Sequence, residues 1–253
     1  MFGILSAQLA LTALVIAAFS SIESVKNYVS TEEGGQGHTW PLVVSMIASF
    51  GCLITLACCG DMARSYPHNY IFLGVFTLAE SVMLGVVCST FEASVVLLAV
   101  AVTAGVVLGL VLYAMNTTRD FTGAGPYLFA ALWSLVLYGI VVSFFPHSRT
   151  VETAYSLIGV VIFSFYVVFD VQLVVGGKHN RFRFGVDDYI FALVFLLPGL
   201  PARRANACRE SALNVYLDIV NLFIRILQLL SRVRAYLCAN APLTLRVVLE
   251  QDR

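Results

Sequence analysis

Long apolar runs separated by short polar segments make up most of this chain. About 20 consecutive apolar residues span the hydrocarbon core of a bilayer, and seven runs approach or reach that length. The pattern predicts seven helices, at about 2–20, 41–59, 70–88, 93–115, 126–145, 153–175 and 211–230. The expected fold class is all-α, a polytopic membrane bundle of six to seven transmembrane helices. Residues 1–253 are expected to form a single transmembrane domain.

Composition supports a membrane protein and narrows its partners. Of the 253 residues, 59% are hydrophobic and 12% are charged, whereas soluble domains average about 25% charged residues. Equal numbers of basic and acidic residues leave a formal net charge of zero, which gives no electrostatic basis for binding nucleic acid. The lipid bilayer is therefore the expected partner. No motif predicts a cofactor, and the six cysteines form no CxxC pair.

Lysine and arginine in the loops predict the orientation of the chain. Cytosolic loops carry an excess of these residues. With a cytosolic N-terminus, the cytosolic loops hold five of these residues: Arg64, Arg119, Lys178, Arg181 and Arg183. The loops on the opposite side hold two, Lys26 and Arg149. This favours a cytosolic N-terminus. A last helix that crosses fully would place the arginines after it on the opposite side, so a crossing and a re-entrant last helix both remain open.

Two aspartates interrupt apolar runs near the C-terminal end. Asp170 lies in AYSLIGVVIFSFYVVFDVQLVVGG and Asp218 lies in ALNVYLDIVNLFIRILQLL. A carboxylate at the bilayer centre costs roughly 2.5–3.5 kcal/mol on insertion scales, and such residues usually mark a path for an ion or a proton. Two carboxylates brought together would titrate as a coupled pair or offer oxygen ligands to Ca²⁺. The alternative for Asp170 is a hydrated position near the membrane surface.

Around Asp218, polar residues recur on one face of the predicted last helix. Asn214, Asp218, Asn221, Arg225 and Gln228 follow at steps of four, three, four and three, which places them on a single stripe. In lipid this stripe must face the interior of the bundle or water. Asp218 and Arg225 lie about 10 Å apart by helix rise, so Arg225 is expected to pair with a carboxylate on a neighbouring helix. The alternative is that the stripe joins helices by hydrogen bonds.

Two further charged residues are candidates for function. Glu80 lies in FTLAESVML and is either a third carboxylate along an ion path or a residue that ties helices together. Arg64 closes the second predicted helix. On pattern alone it is an ordinary anchor on the cytosolic side.

Several segments resemble the transmembrane Bax-inhibitor-motif family, and within it the Lifeguard branch. The resemblance covers about Leu5 to Leu230 and rests on MARSYPHNYIFLGVFTLAES, TRDFTGAG, FDVQL, VDDYIFA and NVYLDIVNLF. It implies a seven-helix bundle with a central last helix. It also implies a Ca²⁺ leak channel or pH-sensitive cation pathway in internal membranes, which lowers stored Ca²⁺ and suppresses cell death. The paired aspartates of that family fall on Asp170 and Asp218, as pH sensor and pore plug, and Arg64 matches its basic latch.

The sequence departs from that family at three places. About 18 extra residues separate VDDYIFA from ALNVYLD, and this insert at 193–211 contains two prolines and three arginines. It cannot continue a membrane helix, so we expect a loop and a new helix with Ser211 as its N-cap. An unremoved intron is the favoured explanation, and a real insert would require a bend. Arg225 stands where relatives usually have an apolar residue, and it could neutralise Asp218 and alter conduction. The cytosolic N-terminal segment of the family is missing, which predicts a fragment or a short isoform.

Three functions fit this reading of the sequence. The first is a pH-sensitive Ca²⁺ leak channel of the endoplasmic reticulum or Golgi. In this channel Asp170 and Asp218 would transiently bind Ca²⁺ and H⁺. The ion path would also include Glu80, Asn214, Asn221 and Arg225. The second is a non-conducting protein that inhibits apoptosis by contacting other membrane proteins. The third is a proton-coupled Ca²⁺ exchanger. No hydrolase motif such as GxSxG or HExxH occurs, so we do not expect an enzyme.

Overall fold

The computed structural model describes residues 2–21, 40–58, 68–119, 121–144, 149–175 and 211–240. Within these ranges the protein has seven α-helices, one 3₁₀ turn at Thr122–Ala124 and no strand, which confirms the all-α fold class. The helices are α1 (Phe2–Ser21), α2 (Trp40–Cys58), α3 (His68–Ser89), α4 (Ala93–Asn116), α5 (Gly125–Ser143), α6 (Arg149–Val175) and α7 (Ser211–Asn240).

Six of these helices are long and apolar enough to cross a membrane. The spans are Gly3–Ser20, Ile71–Ser89, Ala93–Asn116, Gly125–Val142, Arg149–Leu173 and Leu213–Cys238, and α2 contributes a shorter apolar segment at Trp40–Cys52. Large apolar side chains such as Leu97, Leu108 and Phe165 are exposed on them. Exposed apolar faces of this kind are stable only against lipid, so the protein is an integral membrane protein in contact with the bilayer.

The described residues form two compact units. The first comprises Met1–Thr90, Thr118–Thr122 and Asp170–Leu217. In it α3 packs against both α1 and α2. Gly85 permits the close approach of α1, because a Cβ at this position would lie only 2.8 Å from the ring of Phe19.

The second unit comprises Phe91–Thr117, Gly123–Phe169 and Asp218–Arg253. Here the C-terminal part of α7 runs antiparallel to α6, since Tyr155 contacts Arg225 and Glu152 contacts Arg232. The same end of α7 reaches the start of α4, where Arg234 pairs with Glu92 at 2.8 Å. These contacts extend along α6 to its first turn.

The helix ends have local causes. α5 begins at Gly125 with Pro126 in its first turn, where a proline loses no intrahelical hydrogen bond. α4 begins after Glu92, whose extended backbone places its carbonyl to accept from the N–H groups of Val95 and Val96 at 3.0 and 3.1 Å. α7 begins at Ser211 and extends to Asn240, ten residues past the end that its apolar pattern predicts.

Candidate functional site

Asp170 lies in the last third of α6 with only 3% of its surface exposed. Gln172, two residues further on, is also buried. Its side-chain amide donates to the carbonyl of Arg119 at 2.9 Å and its oxygen accepts from the backbone N–H of Phe121 at 2.8 Å. Gln172 therefore ties the carboxylate-bearing end of α6 to the connection between α4 and α5.

Asp218 lies in α7 and is 7% exposed. Asp170 belongs to the first unit, and Asp218 opens the C-terminal segment of the second. The burial of both carboxylates shows that each sits in the protein interior rather than at a hydrated surface. Their predicted coupling stays a prediction, as does a transient Ca²⁺ site formed by both.

Arg225 is held by an aromatic residue. Its guanidinium carbon lies 4.2 Å from the centre of the Tyr155 ring, and Nη2 donates to the Tyr155 hydroxyl at 3.0 Å. Nη1 lies 3.5 Å from Oε1 of Gln228, which also accepts from the hydroxyl of Ser156 at 3.3 Å. Among the described residues, Arg225 therefore contacts the ring of Tyr155 and the neutral oxygen atoms of Tyr155 and Gln228, and not the carboxylate that was expected. Such cation–π contacts contribute about 2 kcal/mol or more when desolvated.

Two glycines make room for this arrangement. A Cβ at Gly159 would lie 2.9 Å from Cδ and 3.0 Å from Nε of Arg225. A Cβ at Gly139 would lie 2.5 Å from the hydroxyl oxygen of Tyr155. Arg225 and Tyr155 thus occupy space that any larger side chain at these two positions would take.

Glu80, the third carboxylate within a span, lies in the first unit with 7% of its surface exposed. Its side chain lies beside the hydroxyl of Ser49 on α2. It is also near enough to the hydroxyl of Tyr216 on α7 to act on it electrostatically. Glu80 therefore lies among hydroxyl groups in the interior of this unit.

A network of buried hydroxyl groups continues from Tyr216. Its hydroxyl lies 2.9 Å from that of Thr12, which lies 3.0 Å from that of Ser81. Ser81 donates to the carbonyl of Thr77 at 2.6 Å, and the Thr77 hydroxyl accepts from the amide of Gln8 at 3.0 Å. All five side chains are at least 95% buried.

Sequence reasoning singled out Glu80 but missed several of the residues around it. Gln8 and Thr12 lie one turn apart in the apolar α1, and that spacing is a signal of one polar face. Tyr216, Tyr155 and Gln172 have no comparable signal in the sequence, because the role of each depends on which helices pack together.

The structure also locates other residues that the sequence singled out. Asn214 and Asn221 are half-buried. Arg64 and the insert up to residue 210 lie outside the described residues, so the latch and the loop stay predictions.

Together these features define a class of protein. It is a polytopic helical membrane protein, and its described spans carry three buried carboxylates, one arginine bound to an aromatic ring and a hydroxyl network. Buried ionisable groups in membrane spans are characteristic of proteins that move ions or protons.

Comparison with known proteins gives the family. Residues 1–235 match the family described as Inhibitor of apoptosis-promoting Bax1. Bax inhibitor 1 of Schizosaccharomyces pombe is 30% identical over 233 residues, covering 90% of this chain and 73% of that protein. The Golgi anti-apoptotic protein of vaccinia virus strain Lister is 29% identical over 229 residues, covering 90% and 82%. The chain belongs to the Bax-inhibitor family.

Proposed function

We propose that this protein is a pH-sensitive Ca²⁺ leak channel of intracellular membranes that lowers stored Ca²⁺ and suppresses cell death. Family membership and the names of its relatives support the anti-apoptotic part. The Golgi relative supports a location in the Golgi or endoplasmic reticulum, and the loop charges support a cytosolic N-terminus. Motifs such as FDVQL and NVYLDIVNLF support the Lifeguard branch.

The observation that carries this proposal is the burial of Asp170 and Asp218. Both are more than 90% buried in helices long and apolar enough to span a membrane. Ionised carboxylates at such depth are costly, so each must be protonated, paired or in contact with a cation. A group whose charge state decides whether a cation is held responds to both pH and Ca²⁺.

The test is Ca²⁺ flux from proteoliposomes across a series of pH values. We expect Asp218→Asn to change the leak and to flatten its pH dependence, because one member of the coupled titration is removed. Asp170→Asn is expected to act in the same direction. Ser134→Ala is the control, since it removes a polar group at an exposed position whose hydroxyl bonds within α5 at the Ala130 carbonyl.

The outcome separates this function from a non-conducting binding protein. If both asparagine variants carry wild-type flux with an unchanged pH response, the aspartates are not the sensor. If wild-type protein carries no flux at any pH, the protein would act through contacts with other membrane proteins of death or Ca²⁺ signalling. We propose no enzymatic activity in either case.

Glu80 favours a proton-coupled exchanger as the second candidate. Glu80 is a carboxyl group buried within a membrane span, and a carboxyl group that binds and releases a proton there can couple proton movement to transport. An exchanger would move Ca²⁺ uphill when a pH gradient is imposed, whereas a leak channel follows the Ca²⁺ gradient alone. Flux measured with equal Ca²⁺ on both sides and a pH gradient distinguishes the two, and Glu80→Gln should abolish only the exchanger's uphill transport.

A further inference from the structure

A cavity of about 670 Å³ lies in the second unit, between the first turns of α6 and the last turns of α7. Its lining includes Arg149, Glu152, Leu157, Arg232 and Tyr236. The volume falls within the range of about 300–1,000 Å³ that is usual for sites of small ligands. Gln228 is the one residue of the polar stripe on α7 that lines this cavity, and Asp170, Asp218 and Glu80 do not line it.

The cavity lies at the level where spans end. Arg149 is the first residue of the α6 span, and the α7 span ends at Cys238. Phe91, which also lines the cavity, falls between the end of the α3 span at Ser89 and the start of the α4 span at Ala93. The cavity is therefore at the boundary between hydrocarbon and headgroups, where phospholipid phosphates lie.

The charge of the lining is positive. Arg232 forms an ion pair with Glu152, so these two charges compensate each other. Among the described residues no carboxylate pairs with Arg149, which leaves one positive charge at the polar end. Thr150 also lines the cavity, and threonine hydroxyls bind phosphate oxygens together with arginine.

The remaining wall is apolar. Phe91, Leu157 and Tyr236 line it, and Leu157 and Tyr236 are 48% and 68% exposed. A free phosphate ion would leave these side chains uncovered, whereas the glycerol and upper acyl chains of a lipid would cover them. We propose that this cavity binds one anionic phospholipid, with its phosphate at Arg149 and its acyl chains along the apolar wall.

Lipid binding to the full-length protein in detergent, followed by native mass spectrometry, tests this site. The probes are dioleoylphosphatidylglycerol, dioleoylphosphatidylcholine and inorganic phosphate. We expect one phosphatidylglycerol to be retained in preference to phosphatidylcholine. Arg149→Gln should weaken its retention about fivefold, as expected for one arginine at a membrane surface.

Ala235→Trp is a second variant, because Ala235 lines the cavity and a large side chain there would fill it. Val233→Trp is its control, since Val233 is exposed on the same helix end and does not line the cavity. Loss of the preferred lipid in Ala235→Trp but not in Val233→Trp supports the site. Equal binding of both lipids by the wild type, full retention in Ala235→Trp, or saturation by inorganic phosphate alone would overturn it. Circular dichroism of each variant verifies the fold, and this readout is independent of ion flux.

Discussion

Single side chains decide how closely the helices around Arg225 approach each other. Gly159 leaves no room for a Cβ, because Cδ and Nε of Arg225 lie only 2.9 and 3.0 Å from the position that a Cβ would take. Gly105, on α4, has no atom within 4 Å of an added Cβ. The same substitution should therefore have opposite effects at the two positions.

We predict that Gly159→Ala destabilises the protein, because the cost of about 1–3 kcal/mol for an added methyl group in a packed site exceeds the roughly 1 kcal/mol that alanine gains over glycine in a helix. Gly105→Ala should be neutral or stabilising by up to about 1 kcal/mol, because alanine is the better helix former. Thermal unfolding in detergent, followed by circular dichroism, measures both. Equal melting temperatures of the two variants would contradict the close contact at Gly159.

The charged residues could be predicted from the sequence, but their partners could not. Asp170, Asp218 and Glu80 are recognisable because a carboxylate in an apolar run is rare, and all three are buried. Arg225 was expected to meet a carboxylate and instead lies on Tyr155. Nothing in the local pattern distinguishes a tyrosine that packs on an arginine from one that faces lipid, because the difference depends on tertiary packing.

At the scale of helices, one hydroxyl of α1 contacts two neighbouring helices at once. Thr12 lies within hydrogen-bonding distance of Ser81 on α3 and of Tyr216 on α7. It also reaches the carbonyl of Gln8 in its own helix at 2.8 Å. An apolar side chain of the same shape would leave the other two hydroxyls with fewer partners in a buried site.

We predict that Thr12→Val lowers the free energy of unfolding by about 1–3 kcal/mol, the usual cost of a buried polar group that loses its partner. Ser20→Ala is the matched control, because the Ser20 hydroxyl is exposed and bonds only within α1 at Ile16. It should change stability by less than about 0.5 kcal/mol. Denaturation followed by tryptophan fluorescence measures both, and equal effects would show that the contacts of Thr12 do not hold α1.

Apolar periodicity predicts where helices lie better than where they end. Ser211 is both the expected N-cap and the first residue of α7. The other end of α7 was expected near residue 230, where the apolar pattern stops, yet the helix continues to Asn240. The ion pairs of Arg232 with Glu152 and Arg234 with Glu92 hold these last turns, and pairing across helices leaves no signal in the pattern of one helix.

At the scale of the whole molecule, the insert before α7 is the feature that sets this chain apart from the pattern it resembles. Deleting residues 193–210 would leave 17 residues between Val175 and Ser211, enough for a connection. Because α7 from Ser211 is long enough to span without the insert, we predict that the deletion preserves or improves folding and the proposed Ca²⁺ flux. Expression yield and proteoliposome flux measure this. Loss of both would show that the insert is a working part of the protein.

The direction of α7 fixes the side of the membrane on which its end lies. In the second unit its last turns lie beside the first turns of α6 and the start of α4. If the N-terminus is cytosolic and each of the first three helices crosses, α4 begins on the lumenal side. The end of α7, with Cys238, then lies there too. The two ion pairs compensate Arg232 and Arg234, which reduces the conflict with the usual excess of positive charge in the cytosol.

Labelling with a membrane-impermeant maleimide tests this orientation in sealed microsomes. In a variant whose single cysteine is Cys238, we predict that the maleimide labels this thiol only after the membrane is permeabilised. A variant that keeps only Cys208, which precedes α7 in the sequence, should react in intact microsomes and is the matched control. Reaction of both cysteines in intact microsomes would mean that α7 does not cross. Reaction of Cys238 alone would mean that the whole bundle is inserted in the opposite orientation.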